Sequence, residues 1–286
     1  MQAVTAAEYR RGVLLVTGAT VVWSSAGLLA RMVDTDPWTT LFWRSAYAGL
    51  CLFAYLLWRD GRGIGAAFAR LGAAGLAMAV CFAASMISFI NALALTTVAT
   101  ALIYQAASPL FAAAMARVFL GERVSRGKLV AILVSFAGVL VIVAGVHDAA
   151  SLWGNMVAAL CGIGYAATIV LARARPDVPT TEASVVAIVI VMAVSAPMAI
   201  YVMPAWEMAV LGVFGIFQMG LALIMFMAGV RLIPSADAGL ISVLESALAP
   251  LLVWVAFGEN PGRNTLIGGA IVILAVIAAA RTERAA

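Results

Sequence analysis

One histidine occurs in the whole chain of 286 residues, and only 10% of the residues are charged. That histidine, His147, stands beside Asp148 between apolar runs, far from every buried polar residue. Acid–base, nucleophilic or metal chemistry that relies on imidazole has no candidate centre. Cys51, Cys81 and Cys161 fall inside apolar runs, at spacings that suit neither a zinc site nor a disulfide framework. They read as small buried hydrophobes. A glycine-rich phosphate loop is missing, as are paired acids inside the apolar runs, so the chain offers neither an ATP site nor a catalytic dyad. The formal charge of +4 does not point to nucleic acid, because no basic run with interleaved aromatics accompanies it. The reading is a non-enzyme with no catalytic residue, metal or cofactor.

What the chain has instead is apolar surface. Hydrophobic residues make up 65% of it and the mean hydropathy is +1.10. Soluble domains carry about 25% charged residues, and a soluble core of this length cannot hide so much apolar area. The fold class expected is all-α and integral to the membrane, with the bilayer as a partner. Met1 to Arg11 is short, charged and leads directly into a spanning run, which reads as a retained helix rather than a cleaved signal.

A hydrocarbon core of about 30 Å needs roughly 20 apolar residues as helix. Cutting the chain at its Gly, Pro and charge punctuation gives ten spans: 12–32, 38–58, 70–94, 98–119, 127–146, 152–172, 181–202, 208–231, 236–257 and 264–281. The connections are short, so neighbouring helices are expected to be antiparallel. One set of flanks holds fourteen of the seventeen basic residues, from Arg10 and Arg11 through Lys128 to Arg281 and Arg284; the opposite set holds Arg31 and Arg263. The positive-inside rule then puts both termini in the cytoplasm. The remaining cation is Arg44, about 9 Å inside the outer end of the second span at 1.5 Å per residue. There it serves either as a snorkelling anchor or as a contact to a solute.

Glu245 is the acid that stands out, near the middle of a spanning run, whereas every other acid lies at or near a break. An ionised carboxylate in hydrocarbon costs several kcal/mol, so it is expected to face a cavity or a partner within the protein. The plainer alternative is a buried carboxyl that holds two helices together.

The two halves resemble each other. Leu29-Ala30-Arg31 followed by Pro37 aligns with Leu171-Ala172-Arg173 followed by Pro179. Ser108-Pro109 followed by Gly121-Glu122 aligns with Glu245-Ser246 followed by Gly258-Glu259. Five spans per half is an odd number, so the second repeat must be inverted. The expected domains are 1–148 and 149–286. Inverted repeats characterise secondary transporters, with the substrate near the midplane.

These residues resemble the paired EamA-type repeats of the drug/metabolite transporter superfamily. Within it the chain looks like bacterial amino-acid exporters, including aromatic amino-acid exporters of the YddG type. The resemblance implies an inner-membrane carrier exporting amino acids or related small metabolites by alternating access, as monomer or homodimer. A multidrug or organic-cation exporter of the same superfamily is the alternative, and a non-transporting scaffold a third. The chain is more distantly similar to four-helix small multidrug-resistance proteins, whose acidic first helix it lacks. The family's Glu-Pro pair reads Glu245-Ser246 here with Pro250 following, so any helix break is expected one turn further along.

Polar and aromatic residues in mid-span are expected to face the bundle. Trp23, Ser85, Ser88, Tyr104, Gln105 and Ser108 are the candidates for binding a small-molecule substrate in the first half. Tyr165, Gln218, Ser242 and Glu245 are those of the second. Aromatic sides and few charges suit an amphipathic solute, its rings stacked and its polar head held by amides and hydroxyls. Gly138 and Gly268-Gly269 are expected to allow close backbone packing, inside the fold or in a dimer.

Overall fold

The computed structural model describes residues 5–30, 32–95, 104–121, 125–143, 152–258 and 262–282, and every regular element among them is helical. The first repeat contributes α1 (Ala6–Trp23), α2 (Ala26–Ala30), α3 (Pro37–Asp60), the short α4 (Ile64–Ala69), α5 (Gly72–Leu95), α6 (Ser108–Met115) and α7 (Arg126–Val143). The second contributes α8 (Leu152–Ala174), α9 (Thr180–Ser195), α10 (Ala205–Val213), α11 (Ala222–Gly229), α12 (Ser235–Ser242), α13 (Leu244–Phe257) and α14 (Gly262–Thr282). A π-helical segment, Phe214–Leu221, joins α10 to α11, and another, Ala116–Leu120, extends α6.

Among the described residues, seven helical stretches are long and apolar enough to cross a membrane: Ala6–Leu29, Pro37–Asp60, Gly72–Phe89, Trp153–Ala174, Thr180–Met198, Ala205–Gly229 and Asp237–Phe257. They match seven of the expected spans. The other three expected spans are helical where described apart from a turn at Ala107, and α14 carries a shorter apolar stretch, Leu266–Ala278. Glu122, His147, Asp148 and Glu259 lie outside the described residues, as do Arg31, Arg123 and Arg284.

Local chemistry sets the helix ends. Thr5 and Glu8 form a capping box at α1, with Thr5 N–H donating to Glu8 Oε2 at 2.9 Å and Glu8 N–H donating to Thr5 Oγ1 at 3.3 Å. Asp36 caps α3 and Pro37 occupies its first turn, where a missing N–H costs nothing. Gly121 and Gly258, matched positions of the two repeats, both end their helices in the left-handed region, at φ 67 and φ 69. Glycine takes that conformation without a Cβ penalty.

The packing has the symmetry that the repeat implies. α5 lies along α8, and the exchanged pair, α1 and α11, does the same. α6 packs on α8 as α12 packs on α1, and α3 on the 214–221 segment as α9 on α5. Three pairs, α3–α9, α6–α12 and α7–α14, join like to like across the halves. Small residues permit the closest crossings. A Cβ on Gly138 would sit 2.9 Å from the carbonyl oxygen of Gly268, so this contact belongs to the α7–α14 crossing inside the fold. The main core gathers Leu52, Leu56, Ile169, Ile188, Phe226 and Ile233 between the two halves. Large apolar side chains such as Leu14, Val118 and Val255 face outward, which a lipid environment accepts without penalty.

Candidate functional site

Among the described residues, three helical runs are interrupted part-way along their length. The first run breaks at Ser24-Ser25, between α1 and α2, and the hydroxyls there donate to Thr20 O at 2.8 Å and Val22 O at 2.7 Å. The run entering α6 turns at Ala107, and the run from α12 to α13 turns at Val243. The last two breaks occupy corresponding positions of the repeats, one residue apart in the alignment. The second does not lie one turn further along, as Pro250 led us to expect; it precedes Glu245 and puts that carboxylate in the first turn of α13. Helix N-termini favour negative charge there. Ser246 stabilises the break, its hydroxyl donating to Val243 O at 2.6 Å. The two broken runs cross closely, because a Cβ on Gly239 would meet Pro109 Cα at 3.0 Å.

A cavity of about 180 Å³ opens against these breaks. Trp23, Ser85, Gln105, Tyr165, Gln218 and Glu245 all line it, so the structure brings six of the expected residues together. One wall is aromatic. Trp23 and Tyr165 lean edge to face with ring centroids 6.5 Å apart, and both back onto buried Phe226, at 4.8 and 5.8 Å. The Tyr165 hydroxyl donates to Ser242 Oγ at 3.2 Å, and Ser242 donates onward to Ala238 O at 2.8 Å. Ser242 thus lies behind the lining and orients Tyr165. Ser85 donates to Cys161 O at 2.9 Å, tying α5 to α8 at the cavity edge. The approach is close because α8 carries Gly164 there: a Cβ on it would meet Cys81 O at 2.8 Å.

Ser88, Tyr104 and Ser108 are not among the lining residues. Ser88 and Ser108 are buried elsewhere in the bundle, and Tyr104 packs against Ala92 and Ala158. Asn91 turns its amide back onto Ile87 O at 2.9 Å. The face that α5 presents is instead Phe82, Ser85, Met86 and Phe89, an i, i+3, i+4, i+7 stripe that sequence reasoning on polar residues alone overlooked.

Arg44 is the other lining residue whose role the sequence left open. Its guanidinium lies over the Phe214 ring, 5.2 Å from the centroid, and its Nε is buried without a hydrogen-bond partner. α3 and the π-helical segment touch closely enough that a Cβ on Gly215 would come within 2.6 Å of Arg44 O. That segment also aims Gln218 inward. Its Nε2 donates to Trp23 O at 3.1 Å, while its Oε1 is buried and unpartnered. Glu245 makes no hydrogen bond or ion pair among the described residues.

A second charged cluster sits at the opposite end of the bundle, on the flanks rich in arginine. Arg59 of α3 meets Glu182 of α9 at 2.5 Å, and Lys128 meets Asp237 at 2.8 Å. The Tyr9 hydroxyl donates to Asp237 at 3.2 Å, and Arg173 donates to Arg231 O at 2.9 Å. Between them and the cavity lies packed apolar core. Among the described residues no group of three metal-ligating side chains comes together.

An all-helical membrane protein with two matched halves and a mostly apolar cavity that carries a few charged and amide groups is the class these features define. The sequence profile of the EamA-like transporter family matches residues 10–144 and again 152–281. The chain belongs to that family of transporters, of the drug/metabolite transporter type. A solved crystal structure, described only as that of a protein, is similar to this chain with a TM-score of 0.84 and 21% sequence identity, over 96% of this chain and 97% of the other. At that identity the likeness speaks to the fold. No curated protein matches.

Proposed function

We propose that this transporter is a secondary carrier that exports amino acids, aromatic and other neutral ones, or related small metabolites. It works by alternating access across a bacterial inner membrane. Ten spans in two inverted repeats, 1–148 and 149–286, with both termini cytoplasmic, complete the reading. The observation that carries it is the cavity beside two helix breaks at matching positions, with Glu245 in the first turn after one of them. Discontinuous helices at corresponding points of inverted repeats mark substrate sites in such carriers. The cavity lies away from the end of the bundle that carries the Arg59–Glu182 and Lys128–Asp237 pairs, which suits a carrier that opens to one side at a time. Trp23 and Tyr165 offer ring faces to an apolar side chain, and Gln105 and Gln218 offer amide groups to a polar head. An organic-cation exporter is the second reading, supported by aromatic rings around a carboxylate.

The test is counterflow of radiolabelled Phe, Trp, Thr and Met in proteoliposomes, wild type beside Glu245→Gln. Saturable amino-acid flux in the wild type, lost in the variant, is expected. Flux of quaternary amines without amino-acid flux would move the assignment to the second reading. Absence of any solute flux from folded protein would leave a scaffold.

A further inference from the structure

We propose that Arg44 and Glu245 form a two-point clamp, Arg44 for the carboxylate and Glu245 for the ammonium of one zwitterionic α-amino acid. The inference rests on reading this cavity as the carrier's substrate site, and it adds the feature by which a solute is recognised.

Arg44 is not placed as an interfacial anchor. A snorkelling arginine carries its guanidinium out to water, whereas this one lies against Phe214 and lines the cavity, with Nε buried and unpartnered. Nor do the two charges form a structural ion pair. Both line the same cavity, yet no salt bridge joins them among the described residues. A cation and an anion that share a small cavity without touching leave a gap for a ligand with both signs of charge. Charge-assisted hydrogen bonds of about 2.8 Å at each end are the contacts such a ligand would make.

The repeat makes the arrangement directional. Glu245 corresponds to Ser108 in the first half, and Arg44 has an apolar counterpart, Val186, in the second. One half therefore supplies the cation and the other the anion, in a fold that is otherwise symmetric. Gln218 Oε1, unpartnered and buried, adds an acceptor, and the Trp23–Tyr165 wall receives the side chain.

The energetics set the specificity. A zwitterion leaves the cavity's charge balanced and pairs both residues. An amine without a carboxylate leaves Arg44 unpaired, and a carboxylate without an amine leaves Glu245 unpaired. Sites built around a polar group reject analogues that lack it, because their own buried groups then go unsatisfied.

The experiment is equilibrium binding of radiolabelled phenylalanine to the purified full chain in detergent. Competition with phenethylamine, which lacks the carboxylate, and with 3-phenylpropionate, which lacks the amine, reads the clamp directly in the wild type. Each is expected to compete on the order of 10²-fold more weakly than phenylalanine. Arg44→Gln is expected to bring phenylalanine and phenethylamine to similar affinity, and Glu245→Gln to do so for phenylalanine and 3-phenylpropionate. Either analogue competing within about threefold of phenylalanine in the wild type would overturn the clamp, whatever the variants do. So would absence of binding by any neutral amino acid. Flux in proteoliposomes separates the two claims. Transport of an amine or another metabolite without zwitterion binding keeps the carrier and removes the clamp. Zwitterion binding without flux keeps the clamp and removes the carrier.

Discussion

Gln218 holds the main-chain carbonyl of Trp23 from across the bundle, its Nε2 donating over 3.1 Å to the last residue of α1. The bond spans the two repeats and reaches the point where the first helical run breaks. Replacing Gln218 with Leu removes this donor from a buried acceptor, which costs about 1–3 kcal/mol. Thermal unfolding in detergent is expected to show that loss. A variant as stable as the wild type would mean that the first helix holds its break without help.

Tyr165 separates ring from hydroxyl. Tyr165→Phe keeps the stack on Phe226 and loses only the bond to Ser242, so about 0.5–1.5 kcal/mol of stability goes. Tyr165→Ala removes the aromatic wall as well and is expected to weaken binding of an aromatic solute at least tenfold more than Tyr165→Phe does. Equal affinities in the two variants would show that the solute does not touch the ring.

The fold was legible because the bilayer is a demanding solvent. Length and punctuation are enough to mark the seven spans found among the described residues, and the match of Ser108-Pro109 with Glu245-Ser246 is enough to mark the repeat. The site was readable where burial is costly: Trp23, Tyr165, Gln105, Gln218 and Glu245 are expensive to leave without a partner, and all five line the cavity. Phe82, Met86 and Phe89 stayed hidden for the opposite reason. In a helix that is apolar all round, an apolar lining residue looks like a lipid-facing one. Hydroxyls misled, since Ser88 and Ser108 are cheap to bury and need no cavity. Arg44 stayed ambiguous because its depth along the helix does not say which way it turns. The π-helical segment that presses Phe214 against it leaves no mark in the hydrophobic pattern.

Asp36 starts the helix that carries Arg44. Its carboxylate accepts from Trp38 N–H at 2.9 Å and Thr39 N–H at 3.0 Å, and also from the Thr39 hydroxyl. Partial burial pushes its pKa up, but these hydrogen bonds outweigh that and hold it below the ordinary aspartate value. A depressed folded pKa means that the cap stabilises above the unfolded value, near 4, and fades as pH falls through the lower folded value. Asp36→Ala is expected to cost about 0.5–2 kcal/mol at neutral pH. The gap to the wild type should close on acidification in detergent unfolding, and a gap unchanged to the lowest pH would refute the cap's contribution.

Arg59 and Glu182 meet at 2.5 Å where α3 and α9 cross, with the Glu182 side chain fully buried and its Oε2 unpartnered. Removing one partner from a buried pair strands the other charge, at about 3–5 kcal/mol when both are enclosed. Arg59 is 36% exposed, so water softens the penalty, and about 1–3 kcal/mol is the expected cost of Arg59→Met. Arg59→Met with Glu182→Leu removes the stranded carboxylate along with its partner and is expected to recover most of that loss. A double-mutant cycle on unfolding free energies reads the difference. If the double variant is less stable than Arg59→Met alone, the carboxylate stabilises this end of the bundle without the arginine, through contacts other than the pair.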